Sequence, residues 1–252
     1  MNAEKHAALQ KIVDSSDRIV FFGGAGVSTE SGVPDFRSTD GLYAVSPTTR
    51  PEEILSHSYF MEYPHRFYDY YRANMIYLNA KPNAAHHALA RLEQAGRLQA
   101  VITQNIDGLH QAAGSREVVE LHGTIYANHC MHCGRAYTLE ETLAMPGVPT
   151  CSCGGIIKPD VTLYGEMLPD GAIERAVAHV RAADVLIVGG TSLAVYPAAG
   201  LLTEFSGREL VVINRDPTMA DQEATLLINE PIGEMLGSLA IHPVSPAEAG
   251  SR

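Results

Sequence analysis

Two clusters of residues have the types and spacing for chemistry. The first holds every cysteine of the chain: Cys130, Cys133, Cys151 and Cys153. Cys130-Met131-His132-Cys133 is a C-x-x-C turn followed by Gly134, and Cys151-Ser152-Cys153 is a tighter pair followed by Gly154-Gly155. Such turns let two thiolates reach one ion, and two turns complete a tetrahedron, the pattern of a structural zinc ribbon. With every cysteine used, no coordination position is open for catalysis. A redox dithiol at Cys130 and Cys133 is the competing reading, which a lone C-x-x-C would favour. His129 and His132 are spare nitrogen donors and read as solvent-facing imidazoles.

The second cluster is the run from Phe21 to Arg37. Gly23-Gly24-Ala25-Gly26 follows the apolar stretch Arg18–Phe22. Glycines in such a turn keep bulk away from backbone N–H groups and let a phosphate approach. The residues after it are expected to start a short helix, whose N-terminus favours an anion. The spacing is not that of the generic G-x-G-x-x-G fingerprint, because the third glycine would be residue 29, which is Thr29.

Both clusters need a scaffold. Apolar runs at 18–22, 98–103, 118–121, 184–188, 210–213 and 224–228 alternate in part with helical patterns at 3–16, 84–95 and 170–182. Short, nearly continuous apolar strands between helices predict an α/β fold, a parallel sheet covered on both faces. The strands are followed by Gly23-Gly24-Ala25-Gly26, Gln104-Asn105-Ile106-Asp107, His122-Gly123, Gly189-Gly190-Thr191-Ser192 and Asn214-Arg215-Asp216. The C-terminal ends of parallel strands share one sheet edge, where ligands of open α/β sheets bind. Five polar strand ends therefore predict a dinucleotide-type site. The aromatic stretch 52–79, with spacings of three and four, is expected to pack a small helical module.

The totals set limits. A chain of 252 residues with 46% hydrophobic and 19% charged residues has a sizeable core. Its net charge of −11 argues against nucleic acid as a partner. No apolar run reaches membrane-spanning length, and residues 1–6 lack the features of a signal peptide, so no membrane partner and a cytoplasmic protein are expected.

Taken in order, Gly24-Ala25-Gly26-Val27-Ser28, Ser31-Gly32-Val33-Pro34-Asp35-Phe36-Arg37, Thr103-Gln104-Asn105-Ile106-Asp107-Gly108-Leu109-His110, Leu121-His122-Gly123, the four cysteines, Tyr164-Gly165-Glu166 and Gly190-Thr191-Ser192-Leu193 resemble the sirtuins, NAD-dependent protein lysine deacylases, of bacterial type. The resemblance implies a Rossmann-like, doubly wound domain from 1–37, 84–123 and 157–252. It implies a smaller domain made of a helical insertion (38–83) and the zinc ribbon (124–156). It implies NAD and one structural Zn²⁺ as cofactors and acyl-lysine proteins or peptides as partners. Gly24, Ala25, Gly26 and Thr29 would form the phosphate loop. Phe36 and Arg37 would lie at the nicotinamide ribose, and Gln104, Asn105, Ile106 and Asp107 would form the nicotinamide and ribose pocket. Thr191 and Ser192 would bind phosphate or ribose, Asn214 the adenosine ribose, and Ile232 would border the adenine. Val161, Thr162, Tyr164, Gly165, Glu166 and Val195 would clamp the substrate as added strands.

In the mechanism the resemblance implies, the acyl oxygen attacks C1′ of the nicotinamide ribose and nicotinamide leaves. His122 then acts as general base through the ribose hydroxyls, a task suited to an imidazole. His86, His87 and His110 are expected to be structural. Protein ADP-ribosylation on the same scaffold and a non-catalytic NAD-sensing module are the alternative readings. Retention of His122 and of an apparent acyl tunnel weighs against the first, and the presence of His122 and Asn105 weighs against the second. Relatives that remove acidic acyl groups show Tyr-x-x-Arg, whereas here Tyr68 is followed by Tyr71, with Arg72 one position late. One residue turns a helical side chain by about 100°, so acetyl or other apolar acyl groups are expected. Thr162 and Tyr164 stand where many relatives carry apolar residues and Phe. Metal analysis of the purified protein should find about one Zn²⁺ per chain; a folded, zinc-free protein would overturn the ribbon.

Overall fold

The apolar run after Arg18 forms strand β1 (Ile19–Gly23), with every residue buried. It lies inside a six-stranded sheet with β2 (Leu98–Thr103), β3 (Val118–Glu120), β7 (Val185–Gly189), β8 (Glu209–Ile213) and β9 (Leu226–Ile228), in the order β3-β2-β1-β7-β8-β9. Every pairing in this sheet is parallel. This computed structural model describes residues 2–36, 41 and 50–244. Successive strands step outward from β1 on one side and from β7 on the other. The arrangement is the doubly wound one, with its switch point between these two strands.

Side chains alternate between two cores, as the period of a strand requires. Ile19, Phe21, Val185, Ile187, Val211 and Ile213 face the helices Ala3–Asp14, Ala84–Gln94 and Ile232–Gly237. Val20, Phe22, Leu186, Val188, Leu210 and Val212 face the helix Ala172–Ala182 and the 3₁₀ segment Ala198–Glu204. Both faces being covered explains why the strands read as continuous apolar runs. Helix Ala3–Asp14 starts at Asn2, whose side chain accepts from Glu4 and Lys5 N–H. Helix Ala84–Gln94 starts at Asn83 in a capping box closed by His86. These caps satisfy N–H groups that have no partner within the helix.

A second, antiparallel sheet holds β4 (Gly123–Cys130), β5 (Ala136–Thr138) and β6 (Ile157–Val161), in the order β5-β4-β6. Residues 157–161 therefore lie in the small sheet, although the sequence division put them with the large domain. The aromatic stretch is three helices, Pro51–Ile54, His57–Glu62 and Pro64–Asn74. Two of them open with proline at the first turn, where its missing N–H costs nothing. Leu55, Phe60, Phe67, Tyr68 and Tyr71 share one core with Ile125, Leu139, Val161 and Leu163 of the small-sheet module. Phe60 meets Phe67 edge-on at 4.9 Å between ring centroids. The Tyr68 hydroxyl donates to the Ile157 carbonyl, fastening the helices to β6. Among the described residues, no helix is long and apolar enough to cross a membrane.

Candidate functional site

At the switch point the first loop lies directly on the loop after β7. Gly24 N–H donates to the Gly189 carbonyl at 3.3 Å and Gly26 N–H to the Gly190 carbonyl at 2.8 Å. A Cβ on Gly26 would sit 2.8 Å from Gly190 Cα, and one on Gly24 would sit 2.8 Å from Gln104 Oε1. The glycines thus make room for the neighbouring loops, a role the sequence reading gave to a ligand. The expected short helix is instead two 3₁₀ turns, Ala25–Val27 and Thr29–Ser31.

A cavity of about 400 Å³ opens above this contact, a volume within the range of small-molecule sites. Ala25, Gly26, Thr29 and Phe36 line it from the first loop, and Gln104, Asn105, Ile106 and Asp107 from the loop after β2. His122, Thr191, Ser192, Asn214 and Ile232 complete the set expected at a cofactor, and Val161, Thr162, Tyr164, Gly165, Glu166 and Val195 line the same space. Gly24 is not in the lining; it packs beneath it. Arg37 lies outside the described residues.

Sequence reasoning gave no role to Ser28, which is fully buried and lines the cavity. Its hydroxyl donates to Asp107 Oδ2 at 2.6 Å and accepts from Asn105 Nδ2 at 3.0 Å. Leu109 N–H donates to the other Asp107 oxygen. Burial pushes the Asp107 carboxyl up from its ordinary value, against the opposing pull of these hydrogen bonds. A serine after a glycine turn carries no sequence signal for this bridge, because Asn105 and Asp107 are distant in the chain. Thr191 Oγ1 donates to Gln104 Oε1 at 2.8 Å, joining the loops after β2 and β7.

His122 Nδ1 lies 3.0 Å from the Gln104 carbonyl. A carbonyl only accepts, so Nδ1 carries the proton and Nε2 is left as an acceptor. Burial lowers the His122 pKa, and the Gln104 carbonyl partly offsets this. The imidazole is therefore a neutral base near pH 7. Gly123, the next residue, has φ +73°, and a Cβ there would fall on the Asp160 carbonyl oxygen. His86 and His110 are buried against each other, 4.7 Å between ring centroids, while His87 is exposed.

The segment after β6 has many of its backbone groups engaged. Thr162 N–H donates to the His122 carbonyl, Tyr164 N–H to the Leu55 carbonyl, and His57 N–H to the Tyr164 carbonyl. Tyr71 lines the cavity, but the two residues flanking the expected acyl-recognition register do not. The Tyr68 hydroxyl is taken by Ile157, and Arg72 Nη2 donates to the Met145 carbonyl at 2.8 Å. Arg215 is the one lysine or arginine among the described cavity residues.

The four cysteine sulfurs lie within 4.8 Å of one another. Cys130 Sγ is 3.5 Å from Cys153 Sγ, and Cys133 Sγ is 3.7 Å from Cys151 Sγ. Tetrahedral Zn–S bonds of about 2.3 Å place sulfurs roughly 3.8 Å apart, so the set fits one zinc ion. Gly155 is required beside it, since a Cβ there would sit 2.8 Å from Cys130 Sγ. The His129 ring is turned to Asp160, 2.7 Å from Nδ1 to the nearer carboxylate oxygen.

The fold and the site together define a doubly wound α/β protein with a ligand cleft at its switch point and a four-thiolate metal site in a separate small sheet. The model of the Sir2 family matches residues 24–197. The NAD-dependent protein deacetylase of Clostridium perfringens is 53% identical over 240 residues, covering 94% of this chain and 98% of that protein. The protein of the same name from Cutibacterium acnes is 52% identical over 229 residues, 90% of this chain and 94% of that one. A solved Sir2 variant with a deacetylated p53 peptide and 3′-O-acetyl ADP-ribose superposes with a TM-score of 0.86 at 38% identity, covering 91% of this chain and 95% of its own. A Sir2 enzyme bound to a propionylated peptide gives 0.83 at 38% identity, covering 92% and 95%. This chain belongs to the Sir2 family, the sirtuins.

Gly123→Ala should lower unfolding stability by about 1–3 kcal/mol or more, since it adds a strained φ to a backbone collision. Chemical denaturation measures this, and an unchanged midpoint would refute the close contact with Asp160.

Proposed function

We propose that this protein is an NAD-dependent protein-lysine deacetylase, transferring the acetyl group of an acyl-lysine to ADP-ribose with release of nicotinamide. The observation that carries the reading is the free Nε2 of His122, placed in a cavity lined by the loops after β1, β2, β7, β8 and β9 and by the 161–166 segment. Relatives at 52–53% identity bear this activity in their names. The cavity suits a dinucleotide because it runs from Asn214 and Ile232 past the first loop to His122. NAD, when bound, supplies an electrophilic ribose carbon.

The chain's own groups do the rest. His122 takes a proton at Nε2 while the Gln104 carbonyl fixes its tautomer. Asn105 and Asp107, braced by Ser28, hold polar groups rigid in a buried site where an unpaired donor would be costly. Phe36 and Ile106 supply apolar walls that exclude water. Val195 and the segment 161–166 border the acyl-lysine. Among the described residues, Arg215 after β8 is the one lysine or arginine lining the cavity and Arg72 is engaged by the Met145 carbonyl, which supports a preference for uncharged acyl groups over succinyl or malonyl. A cytoplasmic location belongs to this reading, as cysteines committed to zinc suit a reducing compartment.

His122→Ala should cut deacetylation of an acetyl-lysine peptide by about 10²–10⁴-fold, with nicotinamide exchange less affected. A wild-type rate would refute the assignment. Because burial sets the His122 pKa below its ordinary value of 6.5, the base is lost only as pH falls through that lower value. The acid limb of kcat/KM should lie below pH 6.5 and vanish in the alanine variant. Ser28→Ala removes the donor to Asp107 and strands Asn105 Nδ2, so kcat/KM for NAD should fall about 10–100-fold. An unchanged value would show that the bridge has no part in the site.

A further inference from the structure

Glu166 borders the cavity, yet its carboxylate is turned back onto the protein. Oε2 accepts from Leu163 N–H at 2.9 Å and from Lys158 Nζ at 3.0 Å. Oε1 meets His57 Nδ1 at 2.9 Å. Glu166 N–H in turn donates to the Leu163 carbonyl, closing the turn from both ends. Lys158 Nζ also donates to the Val161 carbonyl at 2.9 Å and to the Pro159 carbonyl at 3.2 Å. The two side chains are only 17% and 19% exposed. Burial raises the Glu166 pKa, but Leu163 N–H, His57 and Lys158 outweigh it, so the group stays ionised near neutrality.

These contacts tie together three pieces of chain: β6 through Lys158, the helical module through His57, and the 163–166 turn itself. The same turn is bridged to residue 56, with Ser56 paired to Tyr164. Beyond Val161, where β6 ends, the chain at the cavity mouth lies outside both sheets and has little reason to hold its shape unaided. An ion pair shielded from water, with each remaining valence hydrogen-bonded, supplies that rigidity.

We propose that Glu166 and Lys158 are positioning residues, a buckle that holds the extended residues 161–164 and the turn at Gly165 in place before the acyl-lysine peptide arrives, and that Glu166 does not itself grip the peptide through its carboxylate. The inference rests on the deacetylase reading. It separates two functions of one cleft: the buckle governs the cost of ordering the peptide side, whereas the strand-end loops govern NAD. Preorganisation of this kind appears as affinity for the ligand whose site is preformed.

The test compares wild type with Lys158→Met, Glu166→Ala, Glu166→Gln and the Lys158→Met/Glu166→Ala pair. An acetyl-lysine peptide is varied at saturating NAD, then NAD at saturating peptide, and peptide binding is measured directly by fluorescence polarisation. The methionine and alanine variants should raise the peptide KM and Kd about tenfold, with kcat and the NAD KM within about twofold. The glutamine variant, which still accepts from Leu163 N–H, should be impaired less. The double variant should be no worse than the worse single one, because both disable the same buckle. An unchanged peptide KM in Lys158→Met, or equal rises for peptide and NAD, would overturn the proposal. So would independent, multiplying effects in the double variant. Thermal melts accompany each variant, and if Glu166→Ala is unfolded the methionine and glutamine variants decide. Failure of the wild-type chain to deacetylate any peptide would sink the functional reading, while the binding measurements would still judge the buckle.

Discussion

The contact between the loop after β1 and the loop after β7 is the constraint on which the rest of the site depends. Gly26 and Gly190 touch backbone to backbone, and a Cβ on Gly190 would strike the Val27 nitrogen. That approach fixes where the sheet's two halves part. Gln104 and Thr191 are joined directly above it, and Gln104 in turn holds the His122 ring through its carbonyl. The tautomer of His122 is therefore set by a backbone group whose position follows from the packing of glycines. Ser28, on the far side of the same loop, passes the constraint on to Asn105 and Asp107.

The small sheet and the aromatic helices form one packed body, although they come from separate stretches of the chain. Their shared core and the Tyr68–Ile157 hydrogen bond hold them together. The four thiols lie on this body away from the cavity, so a metal there would stabilise the scaffold and leave the chemistry to the strand ends. Tyr68 and Arg72 are absorbed into that same packing, whereas Tyr71 lines the cavity together with Asn74 and Met75.

Much of the large sheet was legible because buried parallel strands leave a strong local mark. The run Val185–Gly189 reads as a strand without any knowledge of its neighbours, and its polar sequel Thr191-Ser192 reads as a strand end. The expected α/β architecture accordingly matches the sheet. The small sheet was not legible: β4 and β6 carry Asn128, His129 and Pro159 among their apolar residues, and their pairing is set by a partner some thirty residues away. The true use of Gly26 was hidden for the same reason, since the atoms that forbid a side chain there belong to Gly190. Ser28 and Glu166 looked like motif letters; their partners, Asp107 and Lys158, are supplied by tertiary structure. Local pattern shows which residues reach the cleft, and long-range contact decides which of them brace others.

The hydrogen bond from Thr162 N–H to the His122 carbonyl joins two places where the chain passes from one sheet region toward the other, with Gly123 paired to Val161 beside it. His122 is thus held from two directions, its ring by the Gln104 carbonyl of the large sheet's edge and its own carbonyl by Thr162 N–H just beyond β6. A side chain moored at such a junction takes its aim from backbone pairing, so substitutions elsewhere in the cleft walls can reshape the cleft while leaving the direction of that imidazole alone.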